Sequence, residues 1–201
     1  MNVAIIDYGA GNVPSVERAL QRLGATPERV NSTEKLAAAK AIILPGVGHY
    51  AALIRALDQQ GLRECLVDAI LRGKPFLGIC LGLQALYQSS EEAPHLAGLG
   101  ILHGKVCALP GTIKLPHMGW NQLKIRRESP LLEGLHESDY FYFAHTFAAR
   151  AADEETVAAC KYGAEFGAVV EVGRMCAVQF HPEKSGVVGA KLLANFLRIA
   201  S

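Results

Sequence analysis

The stretch PFLGICLGLQ, residues 75–84, joins an apolar run to an amphipathic one through two glycines that flank a cysteine. Residues 76–79 have the pattern of a short buried strand, and helical periodicity follows the cysteine. Gly78 and Gly82 permit a tight turn between the two elements and leave room around the sulfur of Cys80. This context is typical of a nucleophile elbow, which exposes a reactive side chain at the carboxyl end of a strand.

Short apolar runs alternate with amphipathic segments on both sides of this stretch, which predicts an α/β fold with a central, mostly parallel sheet flanked by helices. Strands are predicted over 3–6, 41–44 and 76–79, and helices over 12–23, 51–58, 62–71 and 81–88, with Asn12 as an N-cap. After residue 100 the segments shorten and become rich in Val, Phe and Tyr, which predicts additional β-hairpin strands over 122–125, 140–143, 156–161, 168–172 and 176–180. A closing helix is predicted from about Ser185. Residues 1–201 contain no linker or repeat and are interpreted as one domain.

Composition excludes several classes of function. The 20 basic and 19 acidic side chains leave a net charge of +1, which disfavours a nucleic-acid binder. Gly, Pro or charge interrupts every apolar run before the roughly 18 residues that a membrane span needs. The first residues lack a basic leader, so we expect a cytoplasmic protein. Five cysteines without a C-x-x-C pair indicate neither a disulfide framework nor a metal site.

Cys80 is the candidate nucleophile. At the start of a helix its thiolate would lie near the positive end of the helix macrodipole, and the amide of Leu81 could donate to a developing oxyanion. The alternative is a buried structural cysteine beside two packing glycines.

A base for Cys80 is predicted in His181-Pro182-Glu183, which follows the last apolar strand. In an extended segment Glu183 could accept the Nδ1 proton of His181 while Nε2 faces Cys80. The alternative is a solvated strand end. His117 and His145 are weaker candidates, since neither has an acidic neighbour in sequence.

The sequence PGVG, residues 45–48, also follows a strand, and its small residues let backbone amides approach a ligand closely. We expect the amide of Val47 to be the second oxyanion donor. The alternative is a tight strand-to-helix turn that binds no ligand, which would have the same sequence pattern. The segment GAGN, residues 9–12, lacks the third glycine of a dinucleotide fingerprint, so no nucleotide cofactor is expected.

Taken together, GICLGLQ (78–84) and HPE (181–183) resemble the class I, triad-type glutamine amidotransferases. More narrowly, DYGAGN (7–12), PGVG (45–48), HMGWN (117–121) and QFHPEKS (179–185) resemble the glutaminase subunits of imidazole glycerol phosphate synthase, a family of histidine biosynthesis. The resemblance covers nearly the whole chain and implies a single-domain class I glutamine amidotransferase fold.

The resemblance also implies roles. Cys80 would attack the side-chain amide of L-glutamine, His181 would carry the proton to ammonia, Glu183 would orient His181, and water would cleave a glutamyl thioester. The Val47 and Leu81 amides would form the oxyanion hole. The residues implied to bind glutamine are Gly46, Gly48, Gln84, His145 and Thr146. The family tends to show His-Ser-Tyr-Tyr where this chain has HTFA (145–148), so side-chain roles at Phe147 and Ala148 are not carried over.

In that family the ammonia passes to a separate (β/α)8-barrel cyclase subunit, so the resemblance implies a heterodimer, with Asn12, Trp120 and Lys184 as candidate interface residues. Without the resemblance, Trp120 would be a core residue and Lys184 a solvated charge. A further hypothesis is that the 46–48 loop reorients when the partner binds. Two rival functions remain open here: a free-standing γ-glutamyl hydrolase with the same triad, and a non-catalytic module in which Cys80 is only packed.

Overall fold

The computed structural model describes residues 1–150 and 154–201. Within these ranges the strands are β1 (Asn2–Ile6), β2 (Thr26–Val30), β3 (Ala41–Gly46), β4 (Phe76–Cys80), β5 (Tyr87–Ser90), β6 (Leu102–Ala108), β7 (His117–Gln122), β8 (Lys124–Ile125), β9 (Tyr140–His145), β10 (Phe147–Ala149), β11 (Thr156–Tyr162), β12 (Ala164–Val172) and β13 (Met175–Val178). The helices are α1 (Val13–Arg22), α2 (Thr33–Ala38), α3 (Tyr50–Gln59), α4 (Leu62–Leu71), α5 (Leu81–Gln84) and α6 (Gly186–Ile199). Single 3-10 turns cover Pro130–Leu132 and Pro182–Lys184. None of the helices in the described part of the chain has the length and apolar character needed to cross a membrane.

The central sheet has the strand order β2-β1-β3-β4-β13-β12-β11-β8. The five strands from β2 to β13 pair in parallel, and β12, β11 and β8 extend the sheet with antiparallel pairs. The predicted α/β architecture, a mostly parallel sheet with hairpin strands added from the second half, is therefore confirmed.

Both faces of β1, β3, β4 and β13 are covered, which explains why these four strands are almost continuously apolar, whereas β2 at the edge is largely exposed. Alternate residues of β1 point to opposite faces: Val3 and Ile5 join a core that contains α1 and α6, while Ala4 and Ile6 join a core that contains α2, α3 and α4. The strands β3, β4 and β13 are thus fixed side by side between two helical layers, and their carboxyl ends meet at one edge of the sheet. Ligands in open α/β sheets bind at such an edge.

Two small sheets lie outside the central one, with orders β10-β6-β5 and β7-β9. One prediction is wrong in this region. The helix predicted over 81–88 ends after one turn, at Gln84. Tyr87 instead begins β5 and pairs in parallel with Leu102. Here tertiary pairing outweighs the local pattern.

Asn12 is the N-cap residue of α1, as predicted, but its side chain makes no capping hydrogen bond. Its Nδ2 donates to Oε1 of Glu183 at 3.1 Å. The strand β2 and the helix α2 were not predicted, because β2 is short, largely exposed and contains Pro27.

Candidate active site

The turn between β4 and α5 is strained at one residue. Cys80 has φ 55° and ψ −104°, and it is the single non-glycine residue with positive φ in the described chain. Such conformations persist where the surrounding structure enforces them, often at functional sites. The flanking glycines are required for close approach: a Cβ on Gly82 would lie 1.9 Å from the Leu44 carbonyl oxygen, and one on Gly78 would lie 2.8 Å from the Gly82 oxygen. The sequence therefore forms the predicted elbow, with the strain placed on the cysteine.

Cys80 is 5% exposed and lies beside the ends of β13 and β9. Nε2 of Gln179 donates to its sulfur at 3.6 Å, and the carbonyl of Ala144 is 4.0 Å away. Because α5 has only one turn, the helix macrodipole contributes less to a thiolate here than the sequence suggested. Charge stabilisation at the sulfur must come mainly from neighbouring side chains.

His181 and Glu183 form a buried pair in which Nδ1 of the imidazole lies 3.0 Å from Oε1 of the carboxylate. The contact is the predicted one, but residues 182–184 form a 3-10 turn instead of an extended segment. Burial alone would lower the pKa of His181, but hydrogen bonds with Cys80 and Glu183 outweigh burial and raise the pKa to about 10. Burial would raise the pKa of Glu183, but its hydrogen bonds with His181 and Asn12 lower it. At neutral pH the pair is an imidazolium and a carboxylate beside the sulfur.

Three linked hydrogen bonds hold the backbone at His181 against Tyr142 and Ser185. Its amide donates to the Tyr142 carbonyl at 2.8 Å, and its carbonyl accepts from Ser185 Oγ at 2.7 Å. Ser185 Oγ in turn accepts from the Tyr142 amide at 3.0 Å. The loop after β13 is thereby locked to β9, which fixes the imidazole relative to Cys80.

The amide of Val47 already has a hydrogen-bond partner. It donates to the Tyr8 hydroxyl at 3.1 Å, and that hydroxyl lies 3.3 Å from the Val47 carbonyl oxygen, to which it donates. Burial raises the pKa of Tyr8 to about 12, so the phenol keeps its proton. Val47 can therefore serve as an oxyanion donor only after its peptide leaves Tyr8. The Val47 N–H belongs to the peptide between Gly46 and Val47, and Gly48, with φ 89° and open space around its Cβ position, leaves the backbone on the other side of Val47 free to follow when that peptide turns.

A cavity of about 300 Å³ opens over the elbow. The predicted residues that line it are Val47, Gly48, Cys80, Leu81, Gln84, His145, Thr146, His181 and Lys184. Gly46, Asn12, Glu183 and Trp120 do not line it; the first packs against Leu81, and Glu183 lies behind His181. Glu92, Met118, Pro116, Ala144 and Phe147 also line the cavity and were not predicted.

The side chain of Gln84 has a fixed orientation. Its Nε2 donates to the Phe147 carbonyl at 2.8 Å and to Oε1 of Gln179 at 3.2 Å. Both amide hydrogens are used, so Oε1 is the group with which Gln84 could contact a ligand. Glu92 is held by the amide of Tyr50 at the start of α3, which donates to Oε2 at 2.7 Å. No spacing signal in the sequence connects Glu92 to the elbow.

His145 and His117 form a second buried pair on the paired strands β9 and β7, with 3.0 Å between Nε2 of His145 and Nδ1 of His117. Nδ1 of His145 lies 2.9 Å from the Phe147 carbonyl, which makes this nitrogen the donor. Burial lowers the pKa of His145 to about 3 and that of His117 to about 4. Both imidazoles are neutral and committed to this chain of hydrogen bonds, so His181 is the better base.

Two exposed apolar side chains lie on β7, one of which, Met118, lines the cavity. Met118 is 65% exposed and Trp120 is 55% exposed on β7, which overturns the interpretation of Trp120 as a core residue. The Lys184 ammonium lies 5.6 Å from the centre of the Tyr142 ring. Among the described residues, no group of three or more His, Cys, Asp or Glu is placed to hold a metal ion.

Known proteins resemble the chain over almost its whole length. The family model for class I glutamine amidotransferases matches residues 4–200. The HisH subunit of imidazole glycerol phosphate synthase from Methanothermobacter thermautotrophicus is 47% identical over 197 residues, which cover 98% of each chain. The HisH subunit from Aquifex aeolicus is 45% identical over 203 residues, covering 100% of this chain and 98% of the relative.

Solved structures share the fold. A crystal structure of a glutamine amidotransferase superposes with a TM-score of 0.78 at 24% identity, covering 98% of both chains. PurLQS from Thermotoga maritima superposes with a TM-score of 0.76 at 23% identity, covering 98% of this chain and 97% of the other. Fold and site together define a class I glutamine amidotransferase. Within that class, the chain belongs to the HisH family of imidazole glycerol phosphate synthase subunits.

Proposed function

We propose that this chain is the glutaminase subunit of an imidazole glycerol phosphate synthase in histidine biosynthesis, and that it hydrolyses L-glutamine with the triad Cys80, His181 and Glu183. The observation that carries the proposal is the strained elbow at Cys80 beside a buried imidazolium–carboxylate pair. Family membership supports the glutaminase activity.

The reaction has two halves. The Cys80 thiolate attacks the side-chain amide carbon, and the Leu81 amide stabilises the oxyanion. The imidazolium of His181 gives its Nε2 proton to the leaving nitrogen, so ammonia departs and a glutamyl thioester forms. Neutral His181 then takes a proton from water, which attacks the thioester. Glutamate leaves, the sulfur takes back the electron pair, and Glu183 again faces an imidazolium.

The cavity fits the rest of the substrate. Glu92 places a carboxylate on the wall, where it can pair with the α-ammonium group of glutamine, and Gln84 Oε1 can accept from the same group. Thr146 and Phe147 also line the cavity. His145 and Gln84 both donate to the Phe147 carbonyl and hold this wall in place.

The partner is a cyclase subunit with a (β/α)8 barrel, which would form a heterodimer with this chain and receive its ammonia. It would use the ammonia, with a phosphoribulosyl-formimino carboxamide nucleotide, to form imidazole glycerol phosphate and an aminoimidazole carboxamide ribotide. The relatives' names describe them as subunits of the synthase. Met118, which lines the cavity, and Trp120, two residues further along β7, supply an exposed apolar surface of the kind that interfaces bury, and Trp120 and Lys184 both contact Tyr142. Asn12, bonded to Glu183, would link such an interface to the triad. A cytoplasmic location fits this pathway.

The bonding of Val47 favours this subunit over a free-standing hydrolase. While the Val47 amide donates to Tyr8, the oxyanion hole lacks one donor. The isolated chain is therefore expected to hydrolyse glutamine slowly until the partner reorients the 46–48 loop. A free-standing hydrolase would have no reason to keep this donor occupied. The strain at Cys80 disfavours the non-catalytic module, which would gain nothing from it.

Labelling with an electrophilic glutamine analogue, 6-diazo-5-oxo-norleucine, tests the site. We expect one adduct at Cys80 by peptide mass spectrometry, loss of the adduct in Cys80→Ala, and protection by L-glutamine. Glu92→Gln should weaken that protection about tenfold or more, because a charged hydrogen bond is lost. Glu91→Gln is the matched control, since Glu91 is exposed and bonds Lys105. Labelling spread over several cysteines, or none, would contradict the proposal.

A further inference from the structure

Gln179 is a fully buried side chain at the end of β13 with no part in the mechanism described so far. It lies two residues before His181 and 99 residues from Cys80, yet its amide touches the reactive sulfur. A buried amide adjacent to a nucleophile must be satisfied by its neighbours, so the direction in which it points has chemical consequences.

The orientation of this amide follows from a backbone group. The Phe147 carbonyl is an acceptor only, so the atom of Gln84 that lies 2.8 Å from it must be the amide nitrogen. That same nitrogen lies 3.2 Å from the side chain of Gln179, which must therefore present its oxygen to Gln84. The remaining end of the Gln179 amide is the nitrogen, and it faces Sγ of Cys80 at 3.6 Å. The donor direction is thus imposed by Phe147 through Gln84.

A second anchor strengthens this orientation. The Phe147 carbonyl also accepts from Nδ1 of His145 at 2.9 Å, and His145 is held by His117. With two donors on one carbonyl, the strand start at Phe147 has little freedom to turn. Rotating the Gln179 amide by half a turn would set two nitrogens against each other at Gln84 and an oxygen against the sulfur.

We propose that Gln179 is a catalytic residue: it holds an N–H donor on the sulfur of Cys80 and stabilises the thiolate both before attack and when it leaves the thioester. The inference rests on the proposed glutaminase function. The need for such a donor follows from burial, because an anionic sulfur that is 5% exposed has little water to solvate it.

The donor matters most in the second half of the reaction. When water attacks the thioester, the carbon–sulfur bond breaks and its electron pair returns to the sulfur. At that moment His181 has just taken the proton of the water, and the N–H of Gln179 is already in place for the sulfur. No group has to move, which is the condition for efficient electrostatic stabilisation.

Two substitutions separate the donor from the packing. Gln179→Met keeps the length and the apolar contacts but removes the N–H. Gln179→Glu keeps an oxygen for Gln84 and replaces the donor with a carboxylate oxygen. The readout is the pH dependence of Cys80 alkylation by iodoacetamide, followed on the Cys80 peptide by mass spectrometry, which reports the thiolate without requiring turnover.

We expect the pH midpoint of Cys80 alkylation to rise by about one unit in Gln179→Met, equivalent to about tenfold less thiolate below the midpoint, and by more in Gln179→Glu. Gln59→Met, an exposed position at the end of α3, should leave the midpoint unchanged. Protection of the buried Cys160 and Cys176 from alkylation in the same samples reports whether the variants are folded.

Midpoints within about 0.2 units of the wild type in folded variants would overturn the inference. The two possible failures are distinguishable. If the wild-type chain is not labelled at Cys80 by the glutamine analogue, the proposed function fails; if it is labelled but both variants keep the wild-type midpoint, only the role of Gln179 fails.

Discussion

Acid should destabilise this protein through the buried histidines, and His117→Phe should remove about half of the effect. Burial lowers the pKa of His145 to about 3 and that of His117 to about 4, against about 6.5 in an unfolded chain. Between these values the unfolded chain binds two protons that the folded chain does not. Stability contributed by the neutral pair is therefore complete above about pH 6.5 and is lost as the pH falls towards 4.

The magnitude follows from linkage. From pH 7 to pH 5 each histidine removes about 2 kcal/mol, at about 1.4 kcal/mol per pH unit of unmatched proton uptake, so the pair removes about 4 kcal/mol. His117 stacks between Phe143 and Tyr162, with ring centres 4.8 and 4.0 Å away. A phenyl ring at 117 preserves the stacking and takes up no proton, so the variant should lose about 2 kcal/mol over the same interval.

Urea unfolding followed by far-UV circular dichroism at pH 7 and pH 5 gives both differences. The free energy of unfolding of each protein at pH 5 is compared with its own value at pH 7. The lower stability that a lost hydrogen bond causes in His117→Phe at both pH values therefore does not affect the comparison. His103→Phe on the exposed face of β6 is the control and should show the wild-type loss. If wild type and His117→Phe lose the same free energy of unfolding between the two pH values, the buried neutral pair is not the source of the acid sensitivity.

Three further substitutions test the elbow, the loop and the triad. Gly82→Ala places a Cβ 1.9 Å from a main-chain oxygen of β3 and should lower stability by several kcal/mol in thermal unfolding, whereas Gly111→Ala, with open space around it, should change stability by less than about 0.5 kcal/mol. At Gly48 a Cβ meets no atom within 4 Å, but a β-branched residue is strained at φ 89°. In Gly48→Val the stimulation of glutaminase activity by the partner should fall at least about tenfold while folding is nearly kept, and an unchanged ratio would refute the reorientation. Glu183→Gln removes the carboxylate that, together with Cys80, raises the pKa of His181, so kcat should fall about 100- to 10,000-fold in steady-state assays; a loss below about fivefold would exclude Glu183 as the orienting residue.

The parallel strands β1, β3 and β4 could be predicted from the sequence because they are buried on both faces, and the long helices because each has one apolar stripe. The elements that were missed have no such signal. β2 is largely exposed, and β5 continues an apolar pattern that also suits a helix; only its pairing with β6 decides the outcome.

The residues of the site likewise divide into those that local sequence motifs predict and those that they do not. Cys80, His181 and Glu183 could be found from local motifs, since an elbow and a His-Pro-Glu turn are local structures. Tyr8 and Gln179 could not, because their contacts with Val47 and Cys80 span 39 and 99 residues. Long-range partners depend on the strand order, which spacing along the chain does not reveal.

Glutamate release from L-glutamine should be measured with the purified chain alone and then with a cyclase subunit and its nucleotide ligand. We expect slow release by the chain alone, because the Val47 amide is held by Tyr8, and strong stimulation in the complex that disappears in Cys80→Ala. High release without the partner would contradict a conditional subunit and favour a free-standing hydrolase. No release in any mixture would contradict the glutaminase function itself.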